Sequence, residues 1–132
     1  MSALSKVLRD TEGNGLMFWC PGCDMAHRIQ HGAGDGPRWG WNGDVERPIF
    51  TPSVLVTGTE FTEAGEAEYE RWVAAGCPPL DGRRFDSRAV VCHSFVGCNG
   101  AQPGEIVFLG DCTHALAGQT VLLAEFPEGW GC

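Results

Sequence analysis

The sequence predicts a mainly β, small α+β fold, built from antiparallel hairpins with one amphipathic helix. Nineteen glycines and eight prolines among 132 residues punctuate the chain with turns. The apolar runs between them are short and rich in β-formers, and helical periodicity shows in a single stretch.

Taken in order, Leu16 to Trp19 reads as a strand entering the tight turn Cys20-Pro21-Gly22-Cys23, and the chain returns through His27, Arg28 and Ile29. After a loop over Gly32 to Gly36, Trp39-Gly40-Trp41-Asn42-Gly43-Asp44 alternates rings with small or polar residues before an Asn-Gly turn signal. Pro48 to Thr57 supplies a further strand, whose first half Pro48 and Pro52 are expected to confine to a sheet edge. Between Glu60 and Gly76, the residues Phe61, Tyr69, Trp72 and Val73 share a helical face, with Thr62 as N-cap and Gly76 just past the end. Cys77 to Arg88 is a loop. Ala89 to Val96 and Ile106 to Leu109 form a second hairpin, and a last strand runs from Thr120 to Phe126. The tail from Pro127 to Cys132 is turn-like.

This length and composition predict one domain over 1–132, with a helical excursion at about 60–76. Nine Lys and Arg against 17 Asp and Glu give a formal charge of -8, which argues against non-specific nucleic-acid binding. Arg83, Arg84 and Arg88 are the one local basic group. The first fifteen residues lack an apolar core of the signal-peptide type, and no stretch is long and apolar enough to span a bilayer. Seven cysteines without an export signal imply a reducing cytoplasm and metal ligands plus spare thiols.

Two residues between Cys20 and Cys23 let one turn aim both sulfurs at a tetrahedral ion, the spacing of a zinc knuckle. Such a turn supplies half a site. The second hairpin brings Cys92 and Cys112 near its open end, so Cys20, Cys23, Cys92 and Cys112 are the first choice of Zn2+ ligands, with His114, His93 and His27 as alternates. Trp19-Cys20-Pro21-Gly22-Cys23 superficially resembles a thioredoxin motif, but Gly and Pro are reversed and no helix starts there to activate a thiolate. Cys77, Cys98 and Cys132 have no partner at metal-site spacing.

The histidines fall near these cysteines, so His93 and His114, with Asp111, Ser94 or Asp44, are candidate acid–base groups, against the plainer reading of hydrogen-bonded strand histidines. Catalytic zinc signatures such as His-Glu-x-x-His are absent. Trp39 and Trp41, two apart on one strand face, could stack a ligand with Asn42 and His27 nearby, or simply close a β core with Asn42, Asp44, Thr51 and Ser53 as rim polar groups.

The blocks Phe18-Trp19-Cys20-Pro21-Gly22-Cys23, Trp39-Gly40-Trp41-Asn42-Gly43, Phe50-Thr51-Pro52-Ser53-Val54, Cys92-His93-Ser94-Phe95-Val96 and Asp111 to Val121 occur in one order. As a set they resemble a family of small, uncharacterised phage and prophage zinc-binding proteins often labelled ammonia monooxygenase, a membrane-embedded copper enzyme whose label does not suit a chain without a spanning segment. The longer connection Gly97 to Glu105, with Cys98, departs from the family's tight turn. The resemblance implies a phage-encoded protein acting inside a bacterium. The expectation is a zinc-stabilised accessory protein that binds a host protein or small ligand. The alternative is a zinc-dependent hydrolase using His93 or His114 near the metal, and thiol redox activity ranks third.

Overall fold

The computed structural model describes residues 2–129. Two units divide the chain: Met1–Val56 with Val91–Cys132, and Thr57–Val90. The fold is mainly β, as the turn-rich sequence predicts, with two antiparallel sheets and one helix.

In the first unit, β1 (Ser2–Ala3), β2 (Leu8–Thr11), β3 (Gly15–Cys20) and β4 (Met25–Gln30) form one sheet in chain order. The β3–β4 hairpin pairs Cys20 with Met25, so the Cys-Pro-Gly-Cys turn sits at its tip. Asp24 N–H donates to Cys20 C=O at 2.9 Å and closes that turn. β5 (Gly40–Trp41), β6 (Phe50–Phe61), β7 (Ser87–Val96), β8 (Glu105–Phe108) and β9 (Thr120–Leu122) form the second sheet in that order. β7 and β8 pair Ser94 with Phe108 and Val96 with Ile106, the hairpin expected from sequence.

The two sheets share one core. Leu8, Leu16, Phe18 and Ile29 from the first meet Phe50, Val54, Val96, Ile106 and Phe108 from the second, and the Phe18 and Phe50 rings lie 5.9 Å apart. Each such side chain gains about 1.5–3 kcal/mol from burial. Cys20 and Cys92 are part of this core.

Three details differ from the sequence expectation. β6 is not at an edge, because it runs between β5 and β7. It tolerates Pro52, which has no N–H to give, because β5 ends its pairing one residue earlier, at Gly40 opposite Thr51. β2 does not show in the sequence, since its charged residues obscure the alternation of a strand. The last strand is short, ending at Leu122, and Cys132 lies outside the described residues.

In the second unit, α1 (Glu63–Ala74) starts at Thr62, whose Oγ1 accepts from Gly65 N–H at 3.1 Å, and Gly76 follows the Ala75 cap with φ +88°. Phe61, Tyr69, Trp72 and Phe85 form a ring cluster, although Phe61 and Tyr69 stay partly exposed. The three arginines do not act as one patch: Arg88 pairs with Glu60 at 2.9 Å, and Arg83 lies over the Phe85 ring. Among the described residues, no helix is long and apolar enough to cross a membrane.

Candidate functional site

Strand alternation sorts β7 into two faces. Cys92, Ser94 and Val96 are buried, while Val91, His93 and Phe95 are half-buried on the opposite side. Ser53 of β6 is likewise half-buried, next to the inward Val54. The result is a short contact between residues 40 apart in sequence: His93 Nε2 lies 2.9 Å from Ser53 Oγ.

On its other side, the imidazole meets Asp111, with Nδ1 3.2 Å from Oδ2. A carboxylate only accepts, so Nδ1–H donates to Asp111, and Nε2 is left to accept the Ser53 hydroxyl proton. Trp39 Nε1–H donates to Ser53 C=O at 3.0 Å, which fixes the backbone beneath the hydroxyl. His93 is about one-quarter exposed and Asp111 more than half, so the group is open to a reactant at its outer end.

Asp111 is held by the loop that follows β8. Leu109 N–H donates to His93 C=O and Thr113 N–H to Val91 C=O, both at 2.9 Å. Val91 N–H donates back to Thr113 Oγ1 at 3.0 Å. The loop is thereby laced to β7 at Val91 and at His93.

On the inward side of β7, one ligand atom each from Cys20, Cys23, Cys92 and His114 lies within 4.8 Å of the others. Cys20 and Cys92 sulfurs are 3.7 Å apart. Two thiolates 2.3 Å from a tetrahedral zinc would be separated by about 3.8 Å. His114 Nε2 is buried without a hydrogen-bond partner, and its Nδ1 lies 3.2 Å from Leu116 N–H. Three thiols and one imidazole, whose Nε2 is the orphaned nitrogen, fit a Zn2+ ion.

The thiol electrostatics agree with this donor set. Hydrogen bonding from Cys92 holds the Cys20 thiol down, at about 4, against the opposing effect of burial, with further help from His27 and the Cys23 amide. Burial, followed by the charge of Cys20, pushes Cys23 up to about 11. The hydrogen bond with Cys20 and burial push Cys92 far above the usual thiol range. A divalent ion among these sulfurs would favour their thiolate forms.

Cys112, expected among the ligands, is not one of these four, although its charge still bears on the Cys23 thiol. Its sulfur accepts from His93 N–H and donates to His93 C=O, each at 3.2 Å, and His114 from the same loop enters the cluster. His27 is buried edge-on against Phe18, where it helps to lower the Cys20 thiol, and is outside the four-residue cluster. Trp41 packs on His31, and Asn42 holds its own turn by accepting from Asp44 and Ile49 N–H. Asp44 accepts from Glu46 and Arg47 N–H, and Ser94 is buried in the core, so neither meets His93.

The sequence model of a family described as "Bacterial ubiquitination-like system serine protease (BubE)" matches residues 2–103, well over half of the chain. The chain belongs to the BubE family. No curated protein and no solved structure matches it. BubE membership overturns the expectation of a phage accessory protein, because the family description names a serine protease of a bacterial system. In the sequence the blocks draw notice for their cysteines, and the serine of Phe50-Thr51-Pro52-Ser53-Val54 reads as a rim polar group. Only its contact with His93 singles it out. The match includes Ser53 and His93, while Asp111 lies beyond it.

Proposed function

We propose that this BubE-family chain is a serine protease that uses Ser53 as nucleophile, His93 as general base and Asp111 as the group that orients and stabilises the imidazole. The observation that carries this reading is the chain of contacts Ser53 Oγ to His93 Nε2 at 2.9 Å and His93 Nδ1 to Asp111 Oδ2 at 3.2 Å. Those are the roles and distances of a Ser-His-Asp triad.

In the reaction, Ser53 Oγ attacks the carbonyl carbon of a scissile bond as its proton passes to His93 Nε2. His93 then gives that proton to the leaving amine, and water releases the acyl group from Ser53 by the same steps in reverse order. Asp111 holds the imidazole in the tautomer that leaves Nε2 free. The substrate is a protein of a bacterial ubiquitination-like system, in keeping with the family description. An acidic chain of charge -8 gives no reason to expect a nucleic-acid partner.

A Zn2+ held by Cys20, Cys23, Cys92 and His114 serves the fold. Four protein donors fill a tetrahedral sphere and leave no place for a reactive water. The ion would sit on the inward side of β7, with His93 on the outward side.

A fluorophosphonate probe tests the nucleophile. Labelling is expected on Ser53 and is lost in Ser53→Ala. His93→Ala is expected to slow hydrolysis of a p-nitrophenyl ester by about 10⁴-fold or more, and Asp111→Asn by up to about 10⁴-fold. The exposure of Asp111 makes its loss the milder of the two, because water screens its charge. Undiminished labelling of Ser53→Ala would remove Ser53 from the chemistry.

A further inference from the structure

We infer that Cys112 is a positioning residue, whose sulfur clasps the main chain of His93 and so couples the metal cluster to the Ser53–His93–Asp111 group; this rests on the triad reading above. Cys112 is 9% exposed, and its sulfur meets both the N–H and the C=O of His93 at 3.2 Å. Among the described residues, no other side chain meets both main-chain groups of His93. Its chain neighbours have different duties. Asp111, one residue before, contacts the His93 ring, and His114, two residues after, enters the metal cluster.

The coupling follows from the chain's own geometry. Cys92 and His93 are adjacent in β7 and point to opposite faces, so one strand carries a metal ligand inward and the base outward. The loop from Leu109 to His114 carries the acid and another ligand. Ion binding fixes Cys92 and His114, and the Cys112 sulfur with the Leu109 and Thr113 amides transfers that constraint to the His93–Asp111 contact. A triad displaced by about 1 Å loses about 10²-fold in rate.

The test compares Cys112→Ala and Cys112→Ser in the full chain. Cys112→Ala is expected to keep its zinc and lower kcat on the p-nitrophenyl ester by about 10²-fold with KM little changed. It should also lose the downfield proton resonance of His93 Nδ1–H. Cys112→Ser keeps a donor and an acceptor and should recover part of the rate. A chelator should slow fluorophosphonate labelling of the wild type, and added zinc should restore it. Loss of zinc in Cys112→Ala would make Cys112 a ligand, while wild-type kcat in the alanine variant would remove the clasp. If Cys112→Ala does not fold, Cys112→Ser and Thr113→Val decide: unchanged kcat and Nδ1 proton signal in both overturn the coupling. Labelling that persists in Ser53→Ala sinks the parent reading instead, whichever way the Cys112 variants behave.

Discussion

Gly22 shows how closely the metal turn is built around a residue from the far end of the chain. A Cβ added there would run into Cε1, Nε2 and Nδ1 of the His114 ring, so the third position of Cys-Pro-Gly-Cys has no room for a side chain. The ring is wedged between that glycine and Phe108, whose ring centroid is 4.5 Å away edge-on. Phe108 is buried in the core and cannot retreat cheaply. Gly22→Ala is therefore expected to push His114 out of the cluster while leaving the three sulfurs in place. Zinc affinity, measured by competition with a chromogenic chelator, should fall by about 10-fold to 100-fold. Wild-type affinity in Gly22→Ala would mean that His114 is not a ligand. This is a relation that the sequence does not disclose: the short spacing of Cys20 and Cys23 is visible, but the residue covering them is 92 positions beyond Gly22 by the numbering.

Elements whose periodicity was clean were legible. The β3–β4 hairpin, the β7–β8 hairpin and α1 each follow from alternation, turn residues or capping that act over a few positions. β2 was hidden by Arg9, a residue that reads as exposed. Its guanidinium instead lies 4.3 Å from the Phe126 ring centroid and donates to Ser5 C=O at 2.6 Å. The site was legible in halves for the same reason. His93, Asp111 and the thiols of Cys20, Cys23 and Cys92 stand out by type and spacing, whereas Ser53 becomes special only when β6 is placed beside β7. α1 offers a test of local order. Thr62 accepts from Gly65 N–H and donates to Asp86 Oδ2 at 2.6 Å, so it joins the helix start to the loop before β7. Thr62→Ala is expected to weaken the first turn by about 1 kcal/mol, read as faster hydrogen exchange at the α1 amides. Unchanged exchange would show that the cap carries no weight there.

For the first unit as a whole, the proposed ion joins two sheets that already share an apolar core. Cys20 ends β3 in one sheet and Cys92 lies in β7 of the other, and both are within the cluster of Phe18, Phe50 and Phe108. Core burial alone can hold much of this structure, so zinc should add stability by linkage rather than create the fold outright. A ligand that binds the folded state adds RT ln(1 + [L]/Kd), so each tenfold rise in free zinc above Kd adds about 1.4 kcal/mol. Thermal scans in metal buffers should show Tm rising with the logarithm of free zinc. That slope should vanish in Cys92→Ala, which removes a core sulfur and the attachment of β7 at once. Thiol chemistry supplies an independent readout: exposed Cys77 should alkylate first, and Cys98, whose thiol burial pushes up, should react more slowly. Cys20, Cys23 and Cys92 should stay protected until a chelator is added. A Tm indifferent to zinc, with those three thiols alkylated in the untreated protein, would take the ion out of the fold.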